Sequence, residues 1–311
     1  MRTIRIDFCD FYVGFNKTNN FFHNLLKQHY NVEICDKPDF LIYSQDGENH
    51  KLHNCVKIYF TVENYSPDWK QCDYAFTCRY LDDPRHLRFP LYAWYGGPHP
   101  LLKHKDNLDG IMAEKSKFCS FVVSNKSLKK TQKRIEFFKA LNSRKQVDSA
   151  GSFLNNVGYS IPHGSGEKVR FLRSYKFNIA FENASIPGYT TEKLYEAMQA
   201  RCIPIYWGNP RIGEEFNTKS FLNYPDFPSE EALIERILEL DQDPAKYRAV
   251  MAEPYFLGNT PNPFFSHERI LKQFEIIFTK KITPVDRKGG LWNGARWAIV
   301  KRSKDYPISF D

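Results

Sequence analysis

The sequence predicts an α/β protein built from two parallel sheets in tandem. Three observations carry this reading. Apolar runs of strand length alternate with helical patterns along most of the 311 residues. The alternation pauses in a Pro- and Gly-rich stretch over 82–117 and then restarts. Hydrophobic residues make up 42% of the chain, enough for a full core in each half.

In the first half, apolar runs predict strands near 3–8, 32–35, 39–43, 56–62 and 74–78. The helical stretch "NNFFHNLLKQHY" lies between the first two. The segment 82–117, with "DDPRHLRFP" and "WYGGPHP", reads as long loops, which often bind ligands. In the second half "KFCSFVVSN" reads as a strand. "KTQKRIEFFKALNS" reads as a helix with Ile135, Phe138 and Leu141 on one face. A short strand near Val147, the helical "KVRFLRSYK" and the strand "FNIAF" follow. After a polar loop, a short helix and the strand "IPIYW" comes "SFLNY". The helical segments "SEEALIERILELD", "PAKYRAVMAEPYF" and "SHERILKQFEIIFTKK" close the half. The reading sets a first domain at 1–117, a second at 118–285 and a basic aromatic tail at 286–311. Tandem α/β domains of this kind leave a cleft into which strand carboxyl ends point.

The composition narrows the partners. A formal charge of +8 suits an anionic partner, and the 16% of aromatic residues suits sugar rings or bases. No RNP, zinc-finger or helix-turn-helix signature accompanies that charge, which argues against nucleic acid. The seven cysteines form no CxxC pair and read as free thiols in a reducing compartment. No apolar run is long enough to span a bilayer, so a cytoplasmic location is the expectation. The tail mixes Arg287, Lys288, Arg296, Lys301, Arg302 and Lys304 with Trp292 and Trp297. That composition suits peripheral adsorption on the inner, anionic membrane face, or packing on the protein's own surface.

The stretch "FNIAFENASIPGYTTEKLYEAMQARCIPIYWGNP" (177–210) concentrates hydrogen-bonding groups at one strand end. A strand leaves through Glu182 and Asn183, turns at Pro187–Gly188 and enters a helix near Thr191. Leu194, Ala197 and Met198 mark the helix's buried face, so Glu192 and Lys193 stand in its first turn. Free N–H groups at a helix start attract anions, and a lysine there adds a full charge for a phosphate. A glutamate there can accept from the hydroxyls of a ribose. The same residues also fit a plain helix start, with Thr191 as N-cap and Glu192 complementing the dipole.

This segment closely resembles the signature of the α1,3/4-fucosyltransferases, glycosyltransferase family 10, in its bacterial-type form. The matching positions are Phe177, Phe181–Glu182–Asn183, Tyr189, Thr191–Glu192–Lys193 and Pro204 to Gly208. "FCSFVVSN" and "KSFLNYPDF" resemble further family segments, and "VENYSPDWKQCDYAF" resembles the one holding its proposed catalytic glutamate. The resemblance implies a GT-B arrangement of two Rossmann-like domains, with 1–117 binding the acceptor and 118–285 binding GDP-fucose. It implies inverting transfer of L-fucose from GDP-β-L-fucose to a glycan hydroxyl, with O3 of GlcNAc in lactosamine-type chains the expected position.

By that resemblance Glu63 is the base, and Arg134 and Lys193 hold the diphosphate. Ser124, Asn125, Glu182, Asn183, Tyr189 and Glu192 are the other donor contacts, with Glu182 either on fucose or paired inside the fold. Arg134 is chosen over Lys133 because a guanidinium suits bidentate phosphate contact. Trp94 and Tyr95 are the expected acceptor platforms. The bacterial-type resemblance points to lipid-linked or surface polysaccharide precursors as acceptors. No cofactor is expected beyond a non-essential stimulation by manganese or magnesium. Asp241–Gln242–Asp243 has the spelling of a metal site, but Asp243 precedes Pro244 and reads as a helix N-cap. Other nucleotide-sugar transferases, or a non-catalytic carbohydrate-binding protein, are the alternatives.

Overall fold

The computed structural model describes residues 1–103, 107–124, 128–162 and 166–285. These divide into two compact units, one of residues 1–90 and 263–285, the other of Leu91–Asn262. The tail proposed at 286–311 and the donor contact Asn125 lie outside the described residues.

The first unit carries β1 (Thr3–Cys9), α1 (Phe21–Leu26), β2 (Asn31–Ile34), β3 (Phe40–Tyr43), β4 (Val56–Thr61), β5 (Tyr74–Thr77) and β6 (His86–Arg88). The strands form one parallel sheet in the order β2-β1-β3-β4-β5-β6. Near-continuous burial along β4 and β5 explains their unbroken apolar spelling, as a sheet covered on both faces requires.

The second unit carries α2 (Leu91–Tyr95), α3 (Leu108–Glu114), β7 (Lys117–Phe121), α4 (Leu128–Arg144), β8 (Val147–Ser149), α5 (Glu167–Leu172), β9 (Tyr175–Phe181), α6 (Glu192–Gln199), β10 (Ile203–Trp207), β11 (Leu222–Asn223), α7 (Glu230–Gln242) and α8 (Pro244–Ala252). Its sheet, also parallel, has the order β11-β10-β9-β7-β8. Numbered within each unit, both sheets begin 2-1-3-4-5, the doubly wound order whose direction reverses between the first and third strands. In the second unit that switch point falls between β7 and β9.

Two expectations differ from this arrangement. The sequence reading set the first boundary at 117 and gave every later helix to the second domain. The last helix, α9 (His267–Thr279), instead belongs to the first unit. Its Phe274 packs on Phe22 and Phe76, and its Phe278 on Tyr30 and Phe40. Conversely, α2 belongs to the second unit, where Tyr92 meets Phe216. The second difference is that 82–117 is not irregular throughout, since it holds β6, α2 and α3. These are three to seven residues long, too short to show a period between prolines and glycines.

Candidate active site

In the second unit, two helices begin at the carboxyl rim of the sheet beside its switch point. α4 follows β7, and α6 follows β9. Phe137 of α4 packs on Phe181, the last residue of β9, with ring centroids 4.8 Å apart. Residues 134, 137, 138 and 141 share one helical face by their spacing. Phe137, Phe138 and Leu141 fill the core from that face. Arg134 occupies its N-terminal end, one turn before Phe137, and is only 2% exposed. The basic spelling "KKTQKR" reads as a solvated face, but the stripe of 134, 137, 138 and 141 was the signal that Arg134 turns inward.

The Arg134 guanidinium is buried with Nε and Nη2 lacking any hydrogen-bond partner among the described residues. Burial pushes its pKa down, while Glu182, Tyr189 and Glu192 act against that shift through their charges. A buried donor pair without acceptors is costly, so this pair calls for an acceptor, from water or from a ligand. Lys133, the alternative register, turns elsewhere: its Nζ donates to Tyr224 Oη at 2.5 Å and to Glu230 Oε2 at 3.1 Å.

Glu182 leaves the end of β9 with no exposure at all. Its Oε1 accepts from the Thr191 backbone N–H at 2.7 Å, and the Thr191 hydroxyl lies 2.9 and 2.7 Å from its two oxygens. Lys193 Nζ donates to Glu182 Oε2 at 3.2 Å and to Glu192 Oε1 at 3.3 Å. Burial raises the Glu182 carboxyl, against the pull of Lys193. Burial would also raise Glu192, but Lys193 and then Lys168 outweigh it and hold that carboxyl low. Burial would lower the Lys193 ammonium, but Glu182 and Glu192 outweigh it, so the net shift is upward. Thus Lys193 stays charged and its two neighbours already hold it in place.

Thr191 is indeed the N-cap of α6, its hydroxyl taking the Lys193 N–H. Leu194, Ala197 and Met198 are fully buried, as their spacing required. Asn183 Nδ2 donates to Tyr189 Oη at 3.4 Å, closing the loop from the other side. Ser124 stands half-buried three residues beyond β7.

Two residues that sequence reasoning left without a role hold this loop. Asn209 is buried, accepts from the Gly188 N–H at 2.9 Å and donates to Glu215 Oε1 at 2.6 Å. Gly208 follows β10 where any side chain would collide. A Cβ there would lie 2.5 Å from Glu182 Cγ and 2.6 Å from Tyr206 Oη. The glycine that ends the motif is therefore the space Glu182 occupies, a relation that only the fold displays.

In the first unit, Glu63 is exposed two residues beyond β4, at the carboxyl rim. Its N–H donates to Thr61 Oγ1 at 3.1 Å, and its carbonyl accepts from the Tyr65 N–H at 2.8 Å. Of the expected acceptor platforms, Tyr95 is committed inside the second unit. Its hydroxyl donates to Glu196 Oε1 at 2.8 Å, and its ring stands edge-on to Tyr195. Trp94, half-buried, lies beside it on α2.

The pair of acidic residues with metal-site spelling is separated by its local chemistry. Asp243 caps α8, its Oδ1 taking the Ala245 and Lys246 N–H groups at 3.0 Å. Asp241 binds Lys176 Nζ at 2.8 Å and is also paired with Lys145. Among the described residues, no helix is long and apolar enough to cross a membrane.

The sequence profile of the α-(1,3)-fucosyltransferase FucT N-terminal domain matches residues 6–95. That of the glycosyltransferase family 10 (fucosyltransferase) C-terminal region matches 112–252. The chain belongs to glycosyltransferase family 10. Among this family's curated members, it is 31% identical to the α-(1,3)-fucosyltransferase FucT of Helicobacter pylori over 83% of its length. It is 34% identical to a putative fucosyltransferase of Acanthamoeba polyphaga mimivirus over 53% of its length. The chain spans 62% of the first relative and 28% of the second. Among solved structures, an α1,3-fucosyltransferase with GDP-fucose matches at a TM-score of 0.74 and 28% identity. That match covers 91% of this chain and 93% of the other. The fold is accordingly of the GT-B type, with one Rossmann-like sheet in each unit.

Proposed function

We propose that this chain is an inverting fucosyltransferase that moves L-fucose from GDP-β-L-fucose to a glycan hydroxyl. The observation that carries the reading is Arg134, a buried guanidinium with two donors lacking partners among the described residues, whose charge is felt by Lys193 of the family signature. Such a pair suits a diphosphate: the guanidinium bonds oxygens directly, and the ammonium adds a point charge.

In the proposed step, Glu63 takes the proton from the acceptor hydroxyl as its oxygen attacks the anomeric carbon. The bond from that carbon to the β-phosphate oxygen breaks, and its electron pair leaves with GDP. Arg134 and Lys193 meet the charge developing there, which is where fixed charges contribute most to rate. Glu192, ionised and a quarter exposed at the start of α6, is assigned to the ribose hydroxyls. Asn183, Tyr189 and Ser124 are assigned to the donor from their places on the same rim. Asn125 is assigned with them from the sequence alone.

Glu182 is assigned away from the donor, since its oxygens are spent on Thr191 and Lys193. No metal is assigned, because Arg134 and Lys193 are assigned to the diphosphate charge. Transfer that survives EDTA supports this, and complete loss restored by manganese opposes it. The α-(1,3) name of the H. pylori relative favours an O3 acceptor atom, which we assign to GlcNAc.

A donor panel tests the reading. GDP release with an acceptor present, from GDP-fucose but not from GDP-mannose or UDP-sugars, supports it. Turnover of a UDP-sugar alone points to another transferase of the same architecture. Saccharide binding with no turnover of any donor points to a binding protein.

A further inference from the structure

In the second unit α5 packs against α6, and side chains clip the two helices together at two levels. At their carboxyl ends, buried Lys115 gives Nζ to the Arg173 carbonyl at 2.6 Å and to the Ala200 carbonyl at 2.8 Å. Arg173 and Ala200 are the residues that cap the two helices. The Cys202 thiol adds a bond to the Leu172 carbonyl at 3.0 Å. Nearer their starts, Lys168 of α5 pairs with Glu196 of α6, Nζ to Oε2, at 2.5 Å. These two side chains are shielded, at 18% and 6% exposure. The other Glu196 oxygen accepts from the Tyr95 hydroxyl at 2.8 Å. Burial, then Glu196 and Glu192, push the Tyr95 hydroxyl up, so it stays a donor. Lys168 is therefore held on a carboxylate that is itself fixed from both sides.

This placement bears on Glu192. Glu192 and Glu196 stand four positions apart on α6, one turn apart on the same face. Two carboxylates so spaced repel each other, more strongly where burial removes water. Glu192 meets Lys193 at 3.3 Å, and Glu196 meets Lys168. Lys168 also acts on Glu192 through space: after Lys193, its charge does most to hold that carboxyl low against burial. The other charged or titratable groups around Glu192 are Glu182 at the end of β9, Arg134 of α4 and Tyr95 of α2. A bound diphosphate would draw on Arg134 and Lys193 and bring negative charge of its own. The cation then left to the two α6 carboxylates is Lys168.

We propose that Lys168 is a positioning residue for the donor ribose: pinned on Glu196, its ammonium offsets the repulsion between the two α6 carboxylates and keeps Glu192 an acceptor for the ribose hydroxyls. The inference rests on the transferase reading, in which Glu192 takes those hydroxyls and Lys193 the diphosphate. Without Lys168, Glu196 and the diphosphate both favour a proton on Glu192. A protonated carboxyl has fewer acceptor sites and makes weaker bonds, so the preference for ribose hydroxyls falls. The direction in pH follows. A carboxyl held low stays ionised into acid, and one released from its cation rises, so the preference is lost first at the acid end.

The test measures the affinities of GDP and of 2′,3′-dideoxy-GDP by calorimetry, and takes their ratio at about pH 7.5 and about pH 4.5, either side of the ordinary carboxylate range. The ratio isolates the hydroxyls, since protonation of the diphosphate affects both ligands alike. Wild type and Lys168→Arg are expected to hold the ratio within twofold between the two pH values. In Lys168→Met the preference for GDP is expected to fall at least threefold at the acid value. The double variant Lys168→Met/Glu196→Gln removes the repulsion along with the cation and is expected to return to within twofold. Binding of the dideoxy nucleotide, which makes no hydroxyl contact, reports that each variant is folded. An ion pair that serves only the fold shifts both affinities together and leaves the ratio alone. A Lys168→Met ratio that stays within twofold overturns the inference and leaves the transferase reading standing. A wild-type ratio near one takes Glu192 off the ribose and overturns the inference as well. A wild-type chain that binds neither nucleotide overturns the transferase reading, and the inference with it.

Discussion

Glu182→Ala is the substitution whose consequence the structure specifies most fully. It removes a carboxylate with no exposure that accepts from the Thr191 N–H and hydroxyl and faces the Lys193 ammonium at 3.2 Å. Deleting one partner of a buried pair costs about 3–5 kcal/mol. Lys193 keeps Glu192 at 3.3 Å and its side chain is 17% exposed, so the low end, about 3 kcal/mol, is expected here. That loss leaves a domain of ordinary stability folded, since ordinary stability is about 5–15 kcal/mol.

The functional consequence separates a positioning role from a donor contact. If Glu182 acts on transfer only by holding Lys193, its removal matters little to transfer once Lys193 is gone. The assay is kcat/KM for GDP-fucose in Glu182→Ala, Lys193→Ala and the double variant, with denaturation midpoints measured alongside. Lys193→Ala is expected to cost roughly 2–4 kcal/mol of transition-state stabilisation, as loss of a charge-stabilising group does. The double variant is expected within about threefold of Lys193→Ala, the non-additivity of residues acting as a unit. A double variant that loses the product of the two single effects refutes the reasoning and returns Glu182 to direct contact with fucose.

Three further outcomes follow. Glu63→Gln is expected to lower kcat by about 10²–10⁴ with GDP affinity unchanged, and turnover within about threefold of wild type removes Glu63 as base. Burial would raise the Asp10 carboxyl, but hydrogen bonds from the His50 side chain and backbone and from Asn49 hold it at about 2, below its ordinary 3.8. A depressed carboxyl stabilises the fold above its unfolded pKa, so roughly 2 kcal/mol is expected to be lost as pH falls from about 4 to about 2. Asp10 has φ +59°, a left-handed backbone that Asn tolerates, so the midpoint gap between wild type and Asp10→Asn should narrow over that range, and a constant gap opposes the assignment. Truncation after Val285 is expected to abolish binding to anionic liposomes while sparing transfer to a soluble acceptor, because the tail's basic residues are each worth on the order of 1 kcal/mol at such a surface. Liposome binding that survives truncation, or a truncated chain that does not fold, rejects the membrane role.

The sequence displayed the sheets because parallel strands buried on both faces spell continuous apolar runs, as "VKIYF" does in β4. It displayed the α6 site because a helix start and its cap are local. It hid what depends on distant packing. Arg134 was singled out by resemblance alone, and its burial became visible only with its helix laid against Phe181. Gly208 and Glu182 are 26 positions apart, and nothing local links a missing Cβ to a buried carboxylate. α9 reads as one more helix of the second half, because the choice of sheet it covers is set by Phe22, Phe40 and Phe76 far upstream. Tyr95 read as an acceptor platform because the partner of its hydroxyl, Glu196, lies about a hundred residues away.

The central claim is transfer of fucose from GDP-fucose with inversion. Its most direct measurement is two-dimensional NMR of the product formed from GDP-β-L-fucose and N-acetyllactosamine. The account expects one new α-linked fucosyl residue, correlated through its anomeric proton to C3 of GlcNAc. A β-linked product contradicts inversion, and the absence of any fucosyl product, with GDP-fucose intact, contradicts the transferase itself.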